Sequence, residues 1–285
     1  EGLDHHEQAV DIGCADCHAN TSPRIRLADW PPEQAAFRQR VPFPSGPGQE
    51  FLTTARAGSV LWHVRLTDTG PVLHRKLDGV PVPIPPARAE THPALAGDPD
   101  VHARLACAAC HSRWAPQCYG CHIDYDPDTP QWDHVAREQT PGRWEEERAL
   151  VRNAPPPLGI GADDRVRPFV PGMILTARHP DWEQPRFRRL FAALSPHTVG
   201  PARTCRSCHA SPTDLGLGAG TLARIGGQWR NTPRYRALPD GLPADAWTDL
   251  RGGGGTTTRE GERPFTPAEM ARILDAPVEP RTLAP

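Results

Sequence analysis

Between residues 58 and 84, apolar and polar positions follow each other as they do in half-buried strands. Ser59-Val-Leu-Trp-His-Val-Arg-Leu66 and Val72-Leu-His-Arg-Lys-Leu77 flank the turn former Thr67-Asp-Thr-Gly70, and Asp78-Gly79 precedes Val80-Pro-Val-Pro-Ile84. This reads as a β-hairpin or small meander, with His63 and His74 opposite each other as a solvated cross-strand pair. Elsewhere the pattern predicts short helices. One covers Pro32–Arg40, with prolines at its start. Asp98-Pro99 has the form of an N-cap with proline at N1, opening a helix that runs into Cys107. Two more are expected at 141–152, after Thr140, and at 185–194 (PRFRRLFAAL). Thr266-Pro-Ala-Glu269 has capping-box spacing and opens a helix to about Asp275. The glycine run in Arg251–Thr258 reads as a flexible or tightly turned connector.

Composition complicates this picture. Thirty-five prolines and 25 glycines in 285 residues argue against long regular elements. A hydrophobic fraction of 38% with 6% aromatics is low for a core made from side chains alone.

The cysteines offer a way out. All eight fall in four copies of one pattern: Cys14-Ala-Asp-Cys17-His18, Cys107-Ala-Ala-Cys110-His111, Cys118-Tyr-Gly-Cys121-His122 and Cys205-Arg-Ser-Cys208-His209. C-x-x-C-H is the c-type haem attachment site. In a helical turn residues i and i+3 share a face, so both thiols reach the vinyl groups on one porphyrin edge. The adjacent histidine then takes the iron as proximal ligand. A zinc ribbon does not need histidine after the second cysteine. A disulfide framework would scatter its spacings, and a thioredoxin-type motif would occur once. Four covalently attached haem c groups are therefore expected, with His18, His111, His122 and His209 on iron. As large apolar discs they would serve as the core. The expected fold is a mostly irregular, haem-cored unit over 1–285, with short α-helices and the small meander near 58–84. Its segments would be 1–22 (haem 1), 23–91 (Pro-rich, with the hairpin), 92–125 (haems 2 and 3), 126–196 (helical connector), 197–220 (haem 4) and 221–285 (haem-free).

On these four motifs, and on the stretches His92–His122 and His197–Gly218, the chain resembles the multihaem c-type cytochromes. Some members of that family polymerise into extracellular filaments. Its members commonly place a histidine upstream of a motif to ligate a neighbouring haem. The resemblance thus implies His6, His92, His102 and His197 as second axial ligands. His6 and His197 each stand eight residues before a first cysteine, and His102 stands five before Cys107. His5, His63, His74, His134 and His179 complete a set of nine histidines outside the motifs, more than bis-histidine ligation of four irons requires. Met173 is the plausible methionine ligand, whereas Met270 reads as core packing. Only six residues separate His111 from Cys118, which makes haems 2 and 3 neighbours.

Net charge is −2, which predicts no nucleic-acid surface. No apolar run of about 20 residues is present to span a membrane. Because c-type haem is attached outside the cytoplasm, an extracytoplasmic setting is expected, either periplasmic or at the cell surface, with the chain in a mature form. Two functions stay open. In the first, a tetrahaem cytochrome passes electrons along a closely spaced haem row and performs no catalysis. It exchanges electrons with other redox proteins or extracellular acceptors, as a discrete carrier or as a filament of its own copies joined through His5 or His6. In the second, the protein is a multihaem oxidoreductase acting on a small oxyanion at one open haem.

Overall fold

The computed structural model describes residues 11–19, 22–87, 102–195 and 198–276. The chain divides into two compact units, residues 1–103 and 104–285.

The first unit begins with helix α1 (Cys14–His18). Strand β1 (Arg24–Arg26), a 3-10 helix over Pro32–Arg40 and strand β2 (Glu50–Leu52) follow. β1 and β2 pair antiparallel. The alternating stretch folds into an antiparallel meander of β3 (Val64–Thr67), β4 (Gly70–His74) and β5 (Pro81–Pro83). β5 is an edge strand, where prolines without an N–H are tolerated. Trp30, Phe43, Phe51 and Val60 form one buried cluster, with Trp30 edge-on to Phe51 at 4.9 Å. Leu52, Leu61 and Val64 form a second, joined by Cys17, Leu66 and Leu73.

The second unit opens with α2 (Cys107–His111). It continues through β6 (Ala115–Asp126), β7 (Gln131–Asp133), β8 (Glu138–Thr140), β9 (Arg143–Ala154), β10 (Leu158–Ile160), β11 (Val166–Arg178) and β12 (Arg186–Ala193). Next come α3 (Cys205–His209), β13 (Gly220–Ile225), β14 (Gln228–Pro233) and α4 (Pro267–Asp275). The main sheet has five strands in the order β10-β11-β6-β9, with β12 also on β11. It is mixed, because β6 and β11 run parallel while the other pairs are antiparallel. β13 and β14 form a hairpin whose two turn residues, Gly226 and Gly227, both have positive φ, as a type I′ turn requires. At α4, Thr266 Oγ1 accepts from the Glu269 N–H and the Glu269 carboxylate accepts from the Thr266 N–H. The Arg263 fork holds that carboxyl down at about 2.

The expected fold class is corrected by these observations. Strand accounts for 38% of the structure and helix for 15%. The cores are also built from the chain's own side chains. In the second unit, one cluster gathers Ala109, Leu158, Ile160, Leu215, Leu217, Phe265, Met270 and Leu274. Another gathers Tyr119, Phe169, Ile174, Phe191, Ala193 and Trp247. The helices expected at 141–152 and 185–194 are strands β9 and β12. Their helix-favouring Glu, Arg, Ala and Leu are overridden by pairing with β6 and β11. In β12 the inward positions are Arg189, Phe191 and Ala193. Arg189 sits inside because its guanidinium pairs with Asp240 at 2.6 Å and donates to the Ala246 carbonyl at 2.6 Å. A buried arginine at a core position hides the two-residue period. The helix expected from Asp98 lies mostly outside the described residues, and it does not run into Cys107: Leu105 bridges to Val166 and Ala106 is extended, so the motif helix starts anew at Cys107.

Trp247 is wholly buried against Phe191 and Phe169, with ring centroids 5.2 and 4.4 Å away. A Cβ at Gly159 would come within 2.3 Å of the Trp247 ring and 2.8 Å of the Arg263 carbonyl. Gly159→Ala is therefore expected to destabilise the second unit by about 1–3 kcal/mol, read as a lowered midpoint in urea unfolding.

Candidate cofactor-attachment sites

Three of the four C-x-x-C-H motifs form five-residue helices of matching build: α1, α2 and α3. In each, the first cysteine (Cys14, Cys107, Cys205) is exposed and the second (Cys17, Cys110, Cys208) is half-buried, one helical turn on. None of the eight cysteines is in a disulfide. Each helix ends on its histidine, whose Nδ1 meets a backbone carbonyl. His18 Nδ1 lies 2.7 Å from the Pro85 oxygen, His111 Nδ1 2.9 Å from Gly200 and His209 Nδ1 2.7 Å from Ile273. A carbonyl only accepts, so Nδ1 carries the proton and Nε2 presents its lone pair. This arrangement orients an imidazole for a metal. The Ile273 carbonyl belongs to the last turn of α4, where carbonyls lack an intrahelical partner.

The half-buried thiols are poorly suited to redox exchange. Burial pushes Cys17 and Cys110 upward, and burial together with Asp214 pushes Cys208 up to about 12. A reactive dithiol needs the reverse shift. Among the described residues no three His, Cys, Asp or Glu side chains converge on a metal-ion position. A bare zinc ion needs about four protein donors. Haem iron has four porphyrin nitrogens and needs one or two.

The third motif departs from the helical placement expected for it. Cys118 to His122 lie within β6, paired with β9 on one side and, from Cys121 onward, with β11 on the other. Sheet pairing on both edges prevents a helical turn, and Gly120, at φ 69°, interrupts the alternation between the two cysteines. His122 Nδ1 is buried and has no hydrogen-bond partner among the described residues. The motif borders a cavity of about 730 Å³, lined in part by Tyr119, Gly120, His122, Tyr235, Arg236 and Leu238. This volume lies within the range of cofactor pockets, about 300–1,000 Å³.

Tertiary folding also brings the second and fourth motifs together, which their separation in sequence does not foreshadow. The Arg203 N–H donates to the Cys110 carbonyl at 2.8 Å, and the Gly200 N–H to the His111 carbonyl at 2.9 Å. Ala109 and Cys208 share one apolar cluster. Between the motifs lies a buried ion pair, with an Arg203 Nη1–Asp214 Oδ1 distance of 2.9 Å. Burial pushes the Asp214 carboxyl up to about 6, against the pull of Arg203. Arg203 also donates to Ser112 Oγ and to the Pro156 carbonyl, both at 3.0 Å.

Of the histidines proposed as second ligands, His6, His92 and His197 lie outside the described residues, as does His5. His102 is half-buried. His63 and His74 do meet across the meander, where the His74 N–H donates to the His63 carbonyl at 2.8 Å. They are not a solvated pair. The His63 ring packs on Trp62, and its Nδ1 is buried without a partner among the described residues. Burial and the nearby Lys76 charge push it down to about 4, so it stays neutral. Leu61 and Val64, on either side of it, pack in the cluster that Cys17 joins. No spacing rule would have connected His63 to the first motif, 45 positions before it. His134 is exposed. His179 sits among Tyr125, Trp144 and Trp182, with ring centroids 4.4–5.7 Å away. Met173 is 45% exposed on β11, and Met270 is core packing.

No protein-family model, curated protein or solved structure matches this chain. The sites are therefore characterised by their own geometry. They are paired cysteines beside an imidazole fixed at Nδ1 in three places, and a cavity with an orphaned imidazole nitrogen in the fourth. The first arrangement fits covalently attached haem, whereas the second offers the cavity and the imidazole but holds its two cysteines in a strand and not in a helical turn.

Proposed function

We propose that this chain is a multihaem c-type cytochrome. More specifically, it is a tetrahaem electron carrier working outside the cytoplasm, with Cys14/Cys17, Cys107/Cys110, Cys118/Cys121 and Cys205/Cys208 as attachment residues. The observation that carries this reading is the repeated Nδ1-to-carbonyl bond of His18, His111 and His209, which holds each imidazole with Nε2 ready for iron. When bound, haem supplies reversible one-electron chemistry. The chain's part is to hold each imidazole in one tautomer, to fix the spacing of the sites and to shield them with apolar clusters. Among the described residues no helix is long and apolar enough to cross a membrane. The partners are other redox proteins or an extracellular acceptor, and copies of the chain itself if it polymerises.

The cavity at the third motif favours a second reading, an oxidoreductase acting on a small oxyanion. Arg236 and Tyr235 there are groups that bind and protonate such a substrate. Absorption spectra and carbon monoxide separate the two. For the carrier, all four haems are expected to be six-coordinate and low-spin, without a high-spin charge-transfer band, and carbon monoxide binds none of them. Binding of carbon monoxide by a single haem would transfer the assignment to the enzyme.

A further inference from the structure

We infer that the buried Arg203–Asp214 ion pair is shared by the second and fourth haem sites and sets the reduction potential of both. This rests on the tetrahaem reading. The pair stands between the two motifs on several independent contacts. Arg203 is two residues before Cys205, its N–H is bonded to the Cys110 carbonyl, and its guanidinium reaches Ser112 Oγ, next to His111. Asp214 lies close enough to Cys208 to raise its thiol, and Arg203 acts on Cys110 and Cys208 alike. Both side chains are less than a tenth exposed. Water therefore screens these charges less than it would at the surface, and each acts on charge gained or lost nearby. Arg203 Nε is buried and has no hydrogen-bond partner among the described residues. Three acceptors hold the guanidinium in place, Asp214, Ser112 Oγ and the Pro156 carbonyl, while its Nε–H is left over.

Reducing a ferric haem adds one negative charge. A positive charge beside the haem favours that step and a negative charge opposes it. In the intact pair Asp214 opposes Arg203 and so holds both potentials below the value that Arg203 alone would give. Removing the carboxylate leaves Arg203 unopposed, so both neighbouring haems become easier to reduce. A unit charge about 10 Å away, through an effective dielectric of about 20, changes such an equilibrium by more than tenfold. Arg203 and Asp214 are positioning residues in this scheme, since they act through the field they impose on two sites.

The experiment is a spectroelectrochemical titration of the holoprotein at pH 8, above the titration of Asp214, with haem content read first by intact mass. If the wild-type protein lacks four haems, the tetrahaem reading fails at that step, before any potential is measured. With four haems present, Asp214→Asn is expected to raise two of the four one-electron components by about tenfold in reduction equilibrium, or 59 mV, and to leave the other two in place. Arg203→Lys keeps the charge and is expected to shift none. Should Asp214→Asn lose a haem, Asp214→Ser makes the same change of charge in less volume and carries the same expectation. The inference is overturned if fully loaded Asp214→Asn shifts no component or only one. It is equally overturned if Arg203→Lys raises the same two components as much, since that would mark a disturbance of packing rather than of charge.

Discussion

The protein matured with haem is expected to exceed its 31.2 kDa chain mass by four haem groups, with no thiol left to titrate. Each attachment consumes two thiols, and the chain has eight, all within the motifs. Three motifs present both cysteines one helical turn apart, the first exposed and the second half-buried, with Cys17 and Cys208 at the edge of apolar clusters. The third presents them on β6, beside the cavity that His122 lines. Replacing Cys118 and Cys121 together by alanine should lower the added mass by one haem and leave the other three. A mass increase of three haems in the unaltered protein, with two titratable thiols, would show that β6 keeps the third motif in its strand form. Any disulfide would overturn the assignment of the motifs altogether.

The largest expected loss of stability follows from Trp247→Ala. Trp247 is fully buried, stacks on Phe191, contacts Phe169 and lies directly over Gly159, where no side chain fits. Removing the indole leaves a cavity that three strands cannot close, at about 3–5 kcal/mol. That is a large fraction of the roughly 5–15 kcal/mol that holds a domain together. In the second unit it should lower the melting temperature by about 10 °C or more, followed by circular dichroism. Trp247→Phe should cost much less. It keeps most of the ring contact and removes an indole N–H that has no hydrogen-bond partner among the described residues.

The two units differ in how directly their folds can be read from the sequence. The meander of the first is local. Its turns sit at Gly70 and Gly79 and its partners are a few residues apart, so alternation and turn chemistry suffice. The capping box at Thr266 is equally local, and α4 starts where it places it. The five-stranded sheet of the second unit joins β6 to β11 in parallel across some 50 residues. Nothing in β9 or β12 marks them as strands until those partners are in place. Arg189 shows why. It reads as a surface residue, yet it occupies a core position because Asp240 neutralises it there and the carbonyls of Leu242, Ala244 and Ala246 accept from it.

The candidate sites divide in the same way. The sequence by itself determines which residues are chemically equipped. Four cysteine pairs, each followed by an imidazole, carry the same meaning wherever the chain takes them, because thiol spacing and the adjacent histidine are set by covalent distance. Only the tertiary structure decides what surrounds them. It supplies the carbonyls of Pro85, Gly200 and Ile273 that fix three imidazoles, each at least 64 residues from its histidine. It builds the third motif into a strand, because pairing energy along both edges of β6 outweighs a single helical turn. It sets the second motif against the fourth, with Arg203 and Asp214 between them, although 93 residues of chain separate His111 from Cys205. The physical reason is range. Local hydrogen bonding and covalent spacing are encoded within a few residues, whereas burial, a shared charge and a carbonyl at the right imidazole exist only after distant segments have packed.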